Sequence, residues 1–170
     1  MSKTKALREA IYKPEILVLP GVFDGFSTRL VEHFGYLSAF ITGSGVSESR
    51  LGQVDVGIMG LEENVAGARA MVACSDLALL ADGDTGYGNA VNAYYTVRGF
   101  EQAGVSGVML EDQVWPKRCG HMRGKEVIAE EEMVEKLHAA CEARRDSNFI
   151  IKSRTDTLAT HGIDEVIRRL

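Results

Sequence analysis

The sequence predicts an α/β fold built on a parallel sheet, and three observations carry that expectation. A short apolar run, a polar loop and a helical stretch follow one another five times along the chain. The apolar runs are continuous rather than alternating, as expected of strands covered on both faces. Every unusual polar cluster falls just after one of these runs, where the carboxyl ends of parallel strands collect ligand groups. Two architectures satisfy all three: a flavodoxin-like open sheet, or part of a (β/α)8 barrel. No Walker-type or Gly-x-Gly-x-x-Gly loop follows the first run, which counts against a nucleotide-binding open sheet.

Taken in order, Leu7–Tyr12 reads as the end of an amphipathic lead-in helix, stopped by Pro14. Ile16–Leu19 is the first expected strand. The turn-rich segment Pro20–Gly25 then opens a helix over Phe26–Phe34, with Asp24 or Ser27 as its cap and Gly35 at its end. A second strand, Ala39–Ile41, runs into a polar loop, Thr42-Gly43-Ser44-Gly45-Val46-Ser47. After a looser stretch holding Asp55, a helix fits Glu62–Cys74, with Leu61, Val65, Ala68 and Val72 on one face. The third strand, Leu77–Ala81, ends in Asp82-Gly83-Asp84-Thr85-Gly86-Tyr87-Gly88-Asn89, and a helix over Ala90–Gln102 is closed by Gly104. Val105–Leu110 is the fourth strand. The next helix, Glu130–Arg145, puts Met133, Leu137 and Cys141 on its apolar face. The fifth strand, Phe149–Ile151, leads through Lys152-Ser153-Arg154-Thr155-Asp156 to a last helix beginning at Gly162–Ile167.

The bulk numbers narrow the function. At 170 residues and 45% hydrophobic, the chain holds one domain with a real core, residues 1–170. A net charge of −5 without a basic cluster argues against a nucleic-acid partner. No apolar run reaches the length of a membrane span, and the charged start, Met1–Glu9, lacks the apolar centre of a secretory signal. Cys74, Cys119 and Cys141 are an odd, widely spaced set, neither a disulfide framework nor a zinc spacing. A reducing, cytoplasmic compartment is expected.

The chemistry concentrates after the fourth strand, in Glu111-Asp112-Gln113-Val114-Trp115-Pro116-Lys117-Arg118-Cys119-Gly120-His121. No core position needs two acids, two cations, a thiol and an imidazole together. The cations favour a thiolate at Cys119, which makes it a better nucleophile or proton donor. Asp82 and Asp84 flank one glycine, so on an extended strand end their carboxylates point the same way. With Glu111 they suit a hard divalent cation that keeps several waters. Magnesium is the default and manganese the alternative. The competing reading makes Asp82 and Asp84 turn or capping residues. Thr42-Gly43-Ser44 offers hydroxyls and backbone N–H groups to an anionic carboxylate or phosphate, and Arg154 offers a bidentate fork to a carboxylate. His33, His138 and His161 lack partners in the sequence and read as structural or solvated.

Taken together, Thr42-Gly43-Ser44, Asp55, Asp82-Gly83-Asp84-Thr85-Gly86-Tyr87-Gly88-Asn89, Glu111-Asp112-Gln113, Lys117-Arg118-Cys119-Gly120-His121 and Ser153-Arg154-Thr155-Asp156 resemble the isocitrate lyase / phosphoenolpyruvate mutase superfamily. The chain is most similar to the 2,3-dimethylmalate lyase, petal death protein and methylisocitrate lyase group, whose members often carry the name carboxyvinyl-carboxyphosphonate phosphorylmutase. The resemblance implies a (β/α)8 barrel of the phosphoenolpyruvate/pyruvate type, of which the N-terminal five units are present. A whole barrel needs about 250 residues, so a fragment of a longer gene product is expected. It further implies a magnesium-dependent carbon–carbon lyase acting on a small 2-hydroxy or α-oxo acid. Asp82, Asp84 and Glu111 match the metal shell, and Thr42, Gly43, Ser44, Gly120 and Arg154 the substrate-binding positions. Lys117, Arg118, Cys119 and His121 match a mobile catalytic loop, with Cys119 as the acid that protonates the departing enolate. Either a magnesium-bound water or Asp55 takes the substrate's hydroxyl proton. Full-length members are homotetramers. Phosphonomutase or oxaloacetate hydrolase chemistry on the same scaffold, and a truncated non-catalytic binding protein, are the alternatives.

Overall fold

The structure is a computed structural model that describes residues 2–170. Helix α1 (Lys3–Ile11) is capped by Ser2, whose hydroxyl accepts from the Lys5 amide at 3.3 Å, and it buries Leu7. Strand β1 is the two-residue Gly21–Val22, not Ile16–Leu19. In the expected strand, Leu17 and Leu19 pack against the core, whereas Ile16 is 91% exposed and Val18 57%. Backbone pairing begins only where the Pro20 carbonyl accepts from Phe40. A strand-like period of two is present there without a ladder.

Helix α2 (Gly25–His33) starts with a reciprocal cap: Asp24 Oδ1 accepts from the Ser27 amide at 2.7 Å, and Ser27 Oγ accepts from the Asp24 amide at 3.1 Å. Strand β2 (Ser38–Ile41) is followed at once by α3 (Gly43–Leu51), where the sequence suggested a loop. The remaining elements are α4 (Leu61–Ala73), β3 (Ala78–Asp82), α5 (Ala90–Ala103), β4 (Gly107–Glu111), α6 (Glu130–Ala143), β5 (Ile150–Arg154), a 3-10 turn (Thr157–Ala159) and α7 (Ile163–Arg169).

The five strands are all parallel and lie in sequence order, β1-β2-β3-β4-β5. That order decides between the two architectures. A flavodoxin-like sheet reverses direction after its first strands, whereas successive strands of a (β/α)8 barrel do not. The fold is therefore the barrel type, with five units in place.

Alternation along each strand builds two apolar faces. Ala39, Ile41, Leu79, Ala81, Val108 and Leu110 pack under the helices with Val65, Met71, Val97, Phe100, Ala140 and Phe149. Ala78, Leu80, Phe40 and Ile150 face the other way, toward Leu7, Leu17 and Leu19. A groove of about 520 Å³ on this inner side, lined by Leu17, Leu19, Leu80 and Ile150 with Arg8, Arg144 and Lys152, holds none of the strand-end polar clusters. At Gly107 strands β4 and β5 approach so closely that a Cβ would meet the Ile150 Cβ and carbonyl oxygen at 2.7 Å.

Helix α6 differs from expectation in one respect. Its buried face is Met133, Lys136, Ala140 and Ala143, while Cys141 is exposed and Leu137 half-buried. Lys136 reaches in from that face to the Thr85 carbonyl at 3.3 Å and so braces the loop after β3.

Candidate active site

Four consecutive strands deliver their ends to one place. After β2, Thr42 Oγ1 accepts from the Gly45 amide at 2.9 Å and caps α3, so Thr42-Gly43-Ser44 is a helix N-terminus and not a flexible turn. The Gly43 amide donates to Asp82 Oδ2 at 3.3 Å. A side chain at Gly43 would place a Cβ 2.9 Å from that oxygen, so only glycine allows this approach.

After β3, Asp82 Oδ1 accepts from the Asp84 amide at 3.1 Å. Asp84 (φ 49°) and Tyr87 (φ 60°) sit in the left-handed region, which is costly for residues with bulky side chains and concentrates at functional sites. The pair is thus wound into a turn and not extended, in contrast to the sequence expectation. Asp84 is instead tied to Asp55 by a third group. Lys117, 4% exposed, pairs with Asp55 Oδ2 and stands 2.8 Å from Asp84 Oδ1.

After β4, buried Glu111 accepts from Gln113 Nε2 at 2.9 Å and lies 3.2 Å from Arg154 Nη1. After β5, Arg154 Nη2 donates to Asp156 Oδ1 at 3.0 Å, and Lys125 Nζ reaches the same oxygen at 2.8 Å. Gln113 ties the two ends together, donating to Asp156 Oδ2 at 3.3 Å and to the Arg118 carbonyl at 3.0 Å. Residues 114–126 form an excursion closed at its base by the antiparallel bridge Gln113–Val127. In its first limb Trp115 stacks edge-on against Tyr87, with ring centroids 5.4 Å apart.

The charges are strongly perturbed. Burial pushes the Glu111 carboxyl up to about 8, against the pull of Arg154. Burial, then the charge of Asp82, pushes Asp84 up to about 6, and burial raises Asp82 as well. Burial opposes the charge on Lys117, but Asp84, Asp55 and Asp82 outweigh it and hold the ammonium protonated well above its ordinary range. Asp156 is also buried, yet Lys125 and Arg154 keep its carboxyl below the usual value.

A cavity of about 420 Å³ opens over these groups. Of the residues singled out in the sequence, Thr42, Gly43, Ser44, Asp55, Asp82, Glu111, Lys117, Cys119, Gly120, His121 and Arg154 line it. Asp84 lies behind Lys117. Arg118 turns away, lining a separate small cavity with Trp115 and Gly124 and donating to the Arg123 carbonyl at 3.4 Å. Sequence reasoning assigned no role to Lys125 and Gln113, and offered Asp156 only as an ion-pair partner of Arg154, which it is. Asp156 stood within the Ser153–Asp156 motif, but nothing in the sequence marks Lys125.

The acids fit a divalent cation. Asp84 Oδ1 is buried, and among the described residues the Lys117 ammonium, 2.8 Å away, is the one cation paired with it. Raised pKa values at three neighbouring carboxyls describe negative charge short of compensation. Among the described residues no three carboxylates, imidazoles or thiols converge as direct ligands of one ion. Such a set suits magnesium, which keeps much of its water shell, better than a cation that demands an all-protein cage.

Comparison with known proteins agrees with this geometry. Residues 7–170 match the family described as phosphoenolpyruvate phosphomutase. The chain is 44% identical over 169 residues to 2,3-dimethylmalate lyase of Eubacterium barkeri, covering 99% of the chain and 58% of that protein. A solved structure of oxaloacetate acetylhydrolase with 3,3-difluorooxalacetate superposes with a TM-score of 0.95 at 38% identity, over 99% of this chain and 59% of that one. A crystal structure of 2,3-dimethylmalate lyase, a PEP mutase/isocitrate lyase superfamily member, gives 0.94 at 36% identity, over 100% and 58%. The chain thus spans somewhat over half the length of these relatives.

Proposed function

The chain belongs to the phosphoenolpyruvate phosphomutase family, and from that premise we propose that the whole protein is a magnesium-dependent carbon–carbon lyase. Its substrate in this reading is a small 2-hydroxy di- or tricarboxylate of the 2,3-dimethylmalate or 2-methylisocitrate type. The products are an α-oxo acid and a second carboxylate. One observation carries the reading: the Cys119 thiol lines the same cavity as Arg154 and the acids of β3 and β4.

Arg154 and the Thr42–Ser44 helix N-terminus line the same cavity and offer a cation and backbone donors to the substrate's carboxylate. Asp82, Asp84 and Glu111 would hold magnesium (manganese being the alternative), which when bound would supply Lewis-acid polarisation of the substrate hydroxyl. Asp55 faces the cavity and takes the hydroxyl proton, with the Lys117 ammonium beside it. The oxygen's electron pair forms the carbonyl of the α-oxo acid as the C–C bond breaks. The bonding pair leaves on the carbon next to the second carboxylate. Cys119 delivers its proton to that carbon, and the thiolate left behind shares the cavity with Lys117, Lys125 and Arg154.

A second reading is hydrolysis of oxaloacetate, favoured by the 0.95 superposition on oxaloacetate acetylhydrolase. In either case three free cysteines support a cytoplasmic setting. The exposed Phe26, Leu30 and Phe34 of α2 support self-association, a tetramer in the full-length protein.

The test offers 2,3-dimethylmalate, 2-methylisocitrate and oxaloacetate with magnesium to the protein and to its Cys119→Ser variant. Pyruvate release that falls ~10²–10⁴-fold in the variant is the expected result, the range typical of a lost proton donor. Release of oxalate and acetate from oxaloacetate alone moves the assignment to the hydrolase. Pyruvate release undiminished in the variant removes Cys119 from the reaction.

A further inference from the structure

The excursion that carries Cys119 is anchored at two points. In its first limb Lys117 is buried among Asp55 and Asp84. In its second limb Lys125, half-buried, pairs with buried Asp156. Between them residues 120–124 are exposed, and the Arg118 side chain bonds only within the excursion itself. Lys117 belongs to the acidic site already described. Lys125 lines the same cavity but holds none of its β3 and β4 acids, pairing instead with Asp156 just after β5.

Its partner is unusual. Asp156 Oδ1 is shared, 2.8 Å from Lys125 Nζ and 3.0 Å from Arg154 Nη2. The Asp156 backbone cannot drift, because its amide donates to Asp112 Oδ1 at 2.8 Å. The excursion lies directly on the arginine: a Cβ at Gly120 would stand 2.8 Å from Arg154 Nη2. One carboxylate oxygen therefore serves both the anchor of the loop and the guanidinium that faces the cavity.

We propose that Lys125 is a positioning residue that couples the seating of the Cys119 loop to the occupancy of Arg154 through their shared partner, Asp156. A carboxylate that binds Arg154 takes over hydrogen bonds now spent on Asp156. The Asp156 charge then falls wholly to Lys125, and the second limb is held more firmly. Linkage requires the reverse as well: the factor by which an anion firms the loop is the factor by which a firm loop tightens the anion. The inference deepens the lyase reading, since it concerns the same site, but its test needs no turnover.

Cys119 reports the loop directly once Cys74 and Cys141 are replaced by serine. Its rate of alkylation by iodoacetamide is measured with and without oxalate, a probe carrying two carboxylates, in magnesium buffer. Oxalate is expected to slow alkylation at least fivefold. In Lys125→Met the rate without oxalate should rise at least fivefold and oxalate should protect less than twofold, with its Kd weakened by the factor of protection lost. Lys125→Arg, which keeps the pair, should behave as the parent. Simple shielding of the thiol by oxalate predicts equal protection in parent and Lys125→Met, and that result overturns the proposal. So does an absence of protection in the parent. A protein that turns over no substrate yet shows the Lys125-dependent pattern would sink the lyase reading and leave this one standing.

Discussion

Lys117 shows how much one side chain organises here. It stands within a ring of acids at 4% exposure, pairs with Asp55 and Asp84, and roots the first limb of the Cys119 loop. Removing one partner of a buried ion pair leaves the others uncompensated, at a cost of about 3–5 kcal/mol. Lys117→Met should lose stability of that order in chemical denaturation at pH 7. The loss should shrink near pH 5, where Asp84, raised to about 6, is neutral without help. An undiminished loss at pH 5 would mean that packing of the lysine stem, not charge, is what the substitution removes. At this scale the sequence was legible wherever chemistry is dense: eleven predicted residues line one cavity, and all but Asp55 come from the polar segments that follow an apolar run. Lys125 was not legible. A single lysine beside a glycine in a polar stretch gives no local sign of burial, and its partner lies 31 residues away.

The elements were legible where capping and periodicity agree. Asn89 illustrates the first: its Oδ1 accepts from the amides of Val91 at 2.9 Å and Asn92 at 3.4 Å, and Asn92 returns a bond to the Asn89 amide. It ends the acidic loop and begins α5 with one side chain. Asn89→Ala should cost about 1 kcal/mol, seen as a fall in Tm of roughly 2–4 °C for a chain of this size. Sheet packing makes the sharper demand at Gly107, where the β4–β5 approach leaves no room for a methyl group. Gly107→Ala should destabilise by about 1–3 kcal/mol through overpacking. A wild-type denaturation midpoint for that variant would show that the two strands can separate without cost.

Two elements and one helix face escaped the sequence for physical reasons. Helix α3 begins Gly43-Ser44-Gly45, residues of poor helix propensity, and only its Thr42 cap and the left-handed Gly52 at its end betray it. Ile16–Leu19 has the composition of a strand, but Leu17 and Leu19 are spent on covering the inner face and the backbone finds no partner until Pro20. On α6 a thiol is the likelier choice for a core than an ammonium. Yet Lys136 is the buried residue, because the Thr85 carbonyl waits there for a donor.

Across the whole molecule, polarity is divided between the two ends of the sheet. The inner side is apolar at its floor and rimmed by the cations Arg8, Arg144 and Lys152, while the carboxyl ends gather carboxyls that the fold keeps partly protonated. That division has a pH signature. Glu111 titrates ordinarily at 4.5 and in the fold at about 8, and Asp84 moves from 3.8 to about 6. Between those limits the unfolded chain gives up its protons before the folded one. Stability of the metal-free protein must therefore fall as pH rises from about 5 to about 8. Each tenfold difference in proton affinity between the folded and unfolded chain is worth ~1.4 kcal/mol, or roughly 3–6 °C in Tm. Thermal unfolding in chelator at the two pH values measures it, and Glu111→Gln should flatten the slope. An equal slope in that variant would assign the effect to other groups.

The same crowding of the strand ends has an optical consequence. The chain contains one tryptophan, Trp115, and it sits at the root of the Cys119 loop with its ring edge-on to Tyr87 of the acidic turn. Light absorbed by tryptophan alone is thus emitted from the junction of the two loops and from nowhere else in the molecule. Any ion or acid that changes their spacing writes itself into that emission. The protein carries an intrinsic fluorophore at the point where its occupancy is decided.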